Sequence, residues 1–178
     1  MNKKISAVVT LVGLILIMCA MAVLFHNKKE DNLAAGLSMG GYGAWKLGLG
    51  ASETFGASLS GCLDIIEDVG RHLEGDSRDA ALFRGIYGSL EQLEGSDNDL
   101  MALAKKLKTS GKPIPRLYSW CGTEDFLYEG NKRAWEYMKE LGYEMKLEES
   151  SGDHQWKYWD AKIQDVLRWW LDIDQDLT

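Results

Sequence analysis

The segment Gly36-Leu37-Ser38-Met39-Gly40 combines residue types and spacing that can do chemistry. A serine in the pattern G-x-S-x-G sits on a sharp turn between a strand and a helix, with its hydroxyl lifted out of the sheet as a nucleophile. Glycines are expected on both sides because the helix backbone passes close enough to the strand for a Cβ to collide. The amide of the next residue, Met39, can donate to an oxyanion formed on a substrate carbonyl. The surroundings agree with such a turn. Leu33-Ala34-Ala35 precedes it, and Tyr42 to Leu49 reads as a helix with small residues on a closely packing face.

A serine hydroxyl needs a base to take its proton, and the base needs a carboxylate to fix its tautomer. Of the chain's 3 histidines, His26 borders an apolar segment and His72 lies in a charged stretch broken by glycines. His154, in Ser151-Gly152-Asp153-His154-Gln155-Trp156, is left, between a predicted strand and the last predicted helix. For the acid, Asp125 in Cys121-Gly122-Thr123-Glu124-Asp125 follows a predicted strand at its carboxyl end, where active sites of parallel sheets collect. Glu124 and Asp153 compete for the role. An extended turn directs Glu124 away from Asp125's side, and Asp153 adjoins His154 too closely to orient its ring. The order serine, acid, histidine is that of the α/β-hydrolases.

The elements that must position these residues alternate along the chain. Phe55 to Gly61 reads as a buried strand, followed by a glycine-broken stretch from Leu63 to Gly95. A helix is expected from Asp97 to Lys108 with Ser96 as its N-cap, then a strand from Arg116 to Cys121. A helix from Asn131 to Leu141, a strand from Tyr143 to Glu149 and an amphipathic helix from about Trp156 to Leu171 complete the pattern. Strand alternating with helix implies a parallel sheet with helices on both faces. Trp156, Tyr158, Trp159, Trp169 and Trp170 crowd the last helix, and at helical spacing they read mainly as packing residues. Trp156, two residues after His154, is the candidate for a substrate-binding pocket wall.

At 178 residues, 46% hydrophobic and 26% charged, the chain has the composition of one globular domain. Ile5 to Phe25 is an uncharged apolar run long enough to span a bilayer, flanked by Lys3, Lys4, Lys28 and Lys29. It reads as an anchor, with a cleaved signal ending near Ala20-Met21-Ala22 as the alternative. Residues 1–26 are thus assigned to anchor or signal, 27–32 to a polar linker, and 33–178 to the folded domain, placed outside the cytoplasm on either reading. Lys3 and Lys4 removed, 18 of the 20 basic residues face 27 acidic ones, a formal −9, which argues against nucleic acid as partner. Cys62 and Cys121 form no metal-binding spacing and read as small buried hydrophobes.

Five segments in register carry a resemblance: Gly36 to Ala44, Leu59-Ser60-Gly61, Gly95 to Leu100, Cys121 to Tyr128, and Gly152 to Asp160. Together they resemble the esterase family that includes esterase D, tributyrin esterases, and feruloyl and acetylxylan esterases. The resemblance covers about Leu33 to Leu171 and is strongest to the bacterial tributyrin-esterase-like branch. It implies Ser38 as nucleophile, Asp125 as acid and His154 as base. It also implies hydrolysis of short acyl esters through an acyl-enzyme, with no metal and no organic cofactor. In that family several strands precede the elbow, whereas here only His26 to Ala35 separates it from the apolar run. The expectation is therefore the C-terminal half of an α/β-hydrolase sheet, lacking the loop that gives a second oxyanion amide. Such a half would hydrolyse esters weakly and self-associate through an exposed sheet edge. A catalytically silent membrane-tethered domain and an acyltransferase on the same scaffold are the competing readings.

Overall fold

A computed structural model describes residues 32–55, 57–60, 70, 73 and 78–172. The apolar run and the tail after residue 172 lie outside the described residues, as do His26, His72, Cys19 and Cys62. So does the whole predicted N-terminal helix, with the anchor or signal assigned to it. Among the described residues no helix is long and apolar enough to cross a membrane.

The described sheet is parallel throughout. Its strands are β1 (Leu33–Ala35), β2 (Ala57–Ser60), β3 (Arg116–Gly122) and β4 (Met145–Ser150), ordered β1-β2-β3-β4. The helices are α1 (Met39–Gly50), α2 (Arg78–Tyr87), α3 (Leu90–Leu93), α4 (Leu100–Thr109), α5 (Tyr128–Glu140) and α6 (Trp156–Trp170). Register brings the carboxyl ends together, with Ala35 opposite Leu59, Ser60 opposite Ser119 and Gly122 opposite Ser150. The loops that leave these ends carry the candidate residues.

Strand β3 is buried along almost its whole length, as a parallel strand covered on both faces must be. Leu117 and Cys121 face a layer built by Trp45 and Leu49 of α1, Leu103 and Leu107 of α4, and Ala134, Trp135 and Met138 of α5. Ser119 on the same face is satisfied by the indole N–H of Trp135 at 2.9 Å. Tyr118 and Trp120 face the opposite layer, where Trp159 and Val166 of α6 close over them. Cys121 is a buried free thiol, in keeping with the reading from sequence.

Helix α1 is glycine-rich and intrinsically poor, since each interior glycine costs roughly 1 kcal/mol against alanine. Its stability comes from contact: Gly41, Ala44, Trp45, Gly48 and Leu49 are buried against sheet and α4. Several predicted boundaries moved, two of them with a clear local cause. The cap of α4 is Asp99, whose carboxylate accepts from the amides of Met101 and Ala102 at 3.1 and 3.0 Å; Ser96 instead closes a turn by accepting from Asn98. Asp99 is the better cap because its carboxylate serves two of the four orphan amides of the first turn. Helix α5 starts at Tyr128, three residues before Asn131, because the Asp125 turn leads directly into it.

Candidate active site

The turn that carries Ser38 is held by backbone contact. Ser38 has φ 52° and ψ −126°, a conformation that costs a non-glycine residue on the order of 1–3 kcal/mol and persists only where its neighbours enforce it. The amide of Gly40 donates to the carbonyl of Leu37 at 2.8 Å, and that of Gly41 to the carbonyl of Ser38 at 2.8 Å. A Cβ at Gly36 would lie 2.1 Å from the Gly40 carbonyl oxygen, so glycine is required there. The expectation that both motif glycines avoid a collision holds only for Gly36, since a Cβ at Gly40 meets nothing within 4 Å. Met39 is the first residue of α1, where an amide has no acceptor within the helix, so its N–H is available to an anion beside Ser38.

Asp125 and His154 come from the loops that follow β3 and β4. Nδ1 of His154 lies 2.8 Å from Oδ2 of Asp125, and Nε2 lies 2.9 Å from the Ser38 hydroxyl. Asp125 is nearly fully buried, and its Oδ1 accepts from the amide of Leu127 at 3.0 Å. One carboxylate oxygen is thus fixed by the backbone while the other faces the imidazole. The arrangement can take the serine proton on Nε2 while Asp125 holds the tautomer with the second proton on Nδ1. The three residues named from the sequence meet in one hydrogen-bonded line, with the Met39 amide beside it.

The two competitors for the acid lie elsewhere. Glu124 turns toward the backbone of the histidine loop and accepts from the amide of Gly152 at 2.5 Å. Asp153 accepts from the side-chain amide of Gln155 at 2.6 Å. The two loops run so close that a Cβ on Gly122 would lie 2.0 Å from the Gly152 carbonyl oxygen.

Aromatic rings surround His154. Phe126 and Trp159, not Trp156, pack on its ring, each with centroids 4.8 Å away. Trp156 stands one ring further out, edge-on to Trp159 at 5.4 Å, and is 73% exposed, so it is not a packing residue of the helix. Phe126 is 76% exposed although it touches the histidine. It adjoins Asp125 and lies in an aromatic-poor loop, so the only sequence signal for it was that adjacency. Two clefts of about 560 and 450 Å³ open between α4 and α5 and between α1 and α4; neither is lined by Ser38, Asp125 or His154. Among the described residues no group of histidine, cysteine, aspartate and glutamate gathers as a metal site.

Comparison with known proteins places the chain in a family. The model of the family described as "Putative esterase" matches residues 21–170. An acetyl esterase of Caldicellulosiruptor saccharolyticus is 36% identical over 149 residues, covering 80% of this chain and 55% of that protein. Among solved structures, the S-formylglutathione hydrolase FrmB of Staphylococcus aureus superposes with a TM-score of 0.69 at 28% identity, over 88% of this chain and 61% of its own. The fluorophosphonate-binding serine hydrolase F of the same organism gives 0.68 at 27%, over 89% and 62%. The chain therefore spans between about half and two thirds of the length of these relatives. The fold is that of the α/β-hydrolases.

Proposed function

The chain belongs to that esterase family, and from this premise we propose that it hydrolyses short-chain acyl esters through an acyl-enzyme on Ser38. The observation that carries the reading is the unbroken line of contacts from Ser38 through His154 to Asp125, at 2.9 and 2.8 Å, on a serine held at positive φ. In the first half-reaction His154 Nε2 takes the Ser38 proton as Oγ attacks the ester carbonyl. The oxyanion gathers the Met39 amide. Collapse of the tetrahedral species breaks the bond to the alcohol oxygen, which leaves with the proton from Nε2. Water then repeats the sequence on the acyl-serine, releasing the carboxylic acid and restoring Ser38. Asp125 accepts from Nδ1 throughout and stabilises the imidazolium.

The substrate class follows from what surrounds the base. The alcohol oxygen must come within hydrogen-bond reach of His154 Nε2 to be protonated, so the alcohol's substituent lies beside the ring that flanks His154. Of the two rings on His154, Phe126 is exposed and Trp159 is buried, so Phe126 is the one open to a substrate. An apolar or aryl alcohol is the fitting leaving group. A small acyl part accords with the acetyl esterase among the relatives. Placement outside the cytoplasm, as read from the apolar run, remains part of the proposal.

A fluorophosphonate probe tests the reading directly. It should label the full chain at Ser38, and Ser38→Ala should remove both labelling and hydrolysis of p-nitrophenyl acetate. Phe126→Ala should lower kcat/KM for phenyl acetate about 10-fold while leaving that for methyl acetate nearly unchanged, as loss of one apolar contact predicts. No labelling at all would favour a catalytically silent domain, and labelling at another residue would remove Ser38 as the nucleophile.

A further inference from the structure

Strands β3 and β4 end their pairing at Gly122 and Ser150. Beyond that point the chains continue as the loops that carry Asp125 and His154, and nothing in a parallel ladder obliges them to stay together. They do stay together, and Glu124 makes three of the bonds that join them. The amide of Glu124 donates to the carbonyl of Gly152 at 3.1 Å, and the Glu124 side chain then folds back. Its Oε2 accepts from the amide of Gly152 at 2.5 Å and its Oε1 from the hydroxyl of Ser151 at 3.3 Å. Gly152 is thus gripped at both its N–H and its C=O by Glu124. The amide of Thr123, bonded to the Ser150 carbonyl at 3.0 Å, extends the same seam.

The seam ends two residues before His154. Gly152 has little room to move otherwise: Gly122 lies against its carbonyl, and the ring of Tyr158 stands 3.0 Å from where its Cβ would be. An amide confined in that way needs an acceptor on the side left open, and an ionised carboxylate gives the stronger, charge-assisted bond. Asp125 fixes the tilt of the imidazole through Nδ1, but the backbone that sets the ring's distance from Ser38 hangs from Gly152.

We propose that Glu124 is a positioning residue for His154, a carboxylate clamp that holds the base over Ser38 without touching the substrate. The proposal rests on the reading of Ser38 and His154 as an acyl-transfer pair. Because Glu124 is exposed, water competes for its bonds and the clamp adds little to global stability. Its effect therefore falls on the rate. A displacement of about 1 Å at a reacting group can cost ~10²-fold, whereas binding of the ester is left alone.

The experiment compares the full chain with Glu124→Ala and Glu124→Gln. Glu124→Ala should slow fluorophosphonate labelling of Ser38 and kcat for p-nitrophenyl acetate by about 10- to 100-fold, with KM within roughly twofold and an unchanged melting temperature. Glu124→Gln keeps an acceptor for the Gly152 amide and should recover most of the rate. Hydrogen exchange of the Gly152 amide, read by NMR, should speed up in the alanine variant and not in the glutamine variant. Wild-type labelling rates in Glu124→Ala, an unchanged Gly152 exchange rate, or a glutamine variant as slow as the alanine one would each overturn the proposal. If the unsubstituted chain is not labelled, the acyl-transfer reading fails by itself, and Gly152 exchange still decides whether Glu124 holds the loop.

Discussion

Ser38 is fixed within the segment 36–42, whereas Asp125 and His154 are joined across 29 residues of sequence by hydrogen bonds between two loops. On the nucleophile side the means are steric. Gly36 lets the strand pass the backbone of Gly40, and the turn is closed by backbone bonds to its neighbours. On the acid–base side the means are polar, running through Leu127, Asp125, Glu124 and Gly152. Steric devices are local and resist solvent and pH; polar ones depend on charge and on loops arriving together. The two sides should therefore fail in different ways.

The largest effect is expected from removing the charge beside His154. Asp125→Asn keeps the shape but offers the His154 Nδ1–H no carboxylate, which favours the wrong tautomer. kcat should fall by about 10⁴-fold while KM hardly moves. Far-ultraviolet circular dichroism and the melting curve, recorded beside the kinetics, check that the fold is retained. A loss below tenfold would mean that the polar side does not govern the chemistry.

The steric side is probed by its two glycines, which should part company. Gly36→Ala drives a methyl group into the Gly40 backbone. The turn must shift, at a cost of ~1–3 kcal/mol in stability and about 10²-fold in the rate of Ser38 labelling. Gly40→Ala places its methyl in open space at the start of α1. That change should leave labelling within about twofold and raise stability by ~0.5–1 kcal/mol, since alanine is the better helix residue. Equal damage from both substitutions would show that the motif's spacing, and not the single contact at Gly36, sets the elbow.

The same contrast explains what could be read in the sequence. The elbow is a short-range device, so its residues and its strand–helix setting were legible from Gly36 to Leu49. Strand β3 was legible as a buried run bounded by Pro115 and Gly122. Asp99 was missed as the cap of α4 because several polar residues from Ser96 onward offer the same chemistry, and only geometry selects among them. Phe126 and Glu124 were beyond reach for a different reason. The roles described for both depend on the β4 loop arriving beside the β3 loop, a tertiary event to which no local pattern points. Trp156 was singled out as a pocket wall by its nearness in sequence to His154, whereas the contact of Trp159 with the ring depends on how the last helix packs.

The smallest effect separates the two sides by pH. The carboxyl of Glu124 is held below the usual glutamate range, first by the Gly152 amide and then by the Thr123 hydroxyl. A carboxyl lowered in the closed loop stabilises that closure fully above its ordinary value, loses it as pH falls below that value, and gives none once protonated in the closed state as well. Protection of the Gly152 amide, corrected for the intrinsic exchange rate, should stay level from neutral pH to about pH 5 and then decline. The Gly40 and Gly41 amides bond to backbone carbonyls in the elbow and should keep their protection over that range. Glu124→Gln should flatten the response at Gly152, because an amide acceptor does not titrate. Parallel loss at Gly152 and Gly41 would mean that acid loosens the sheet as a whole, and the division between a steric and a polar side of the site would then have to be abandoned.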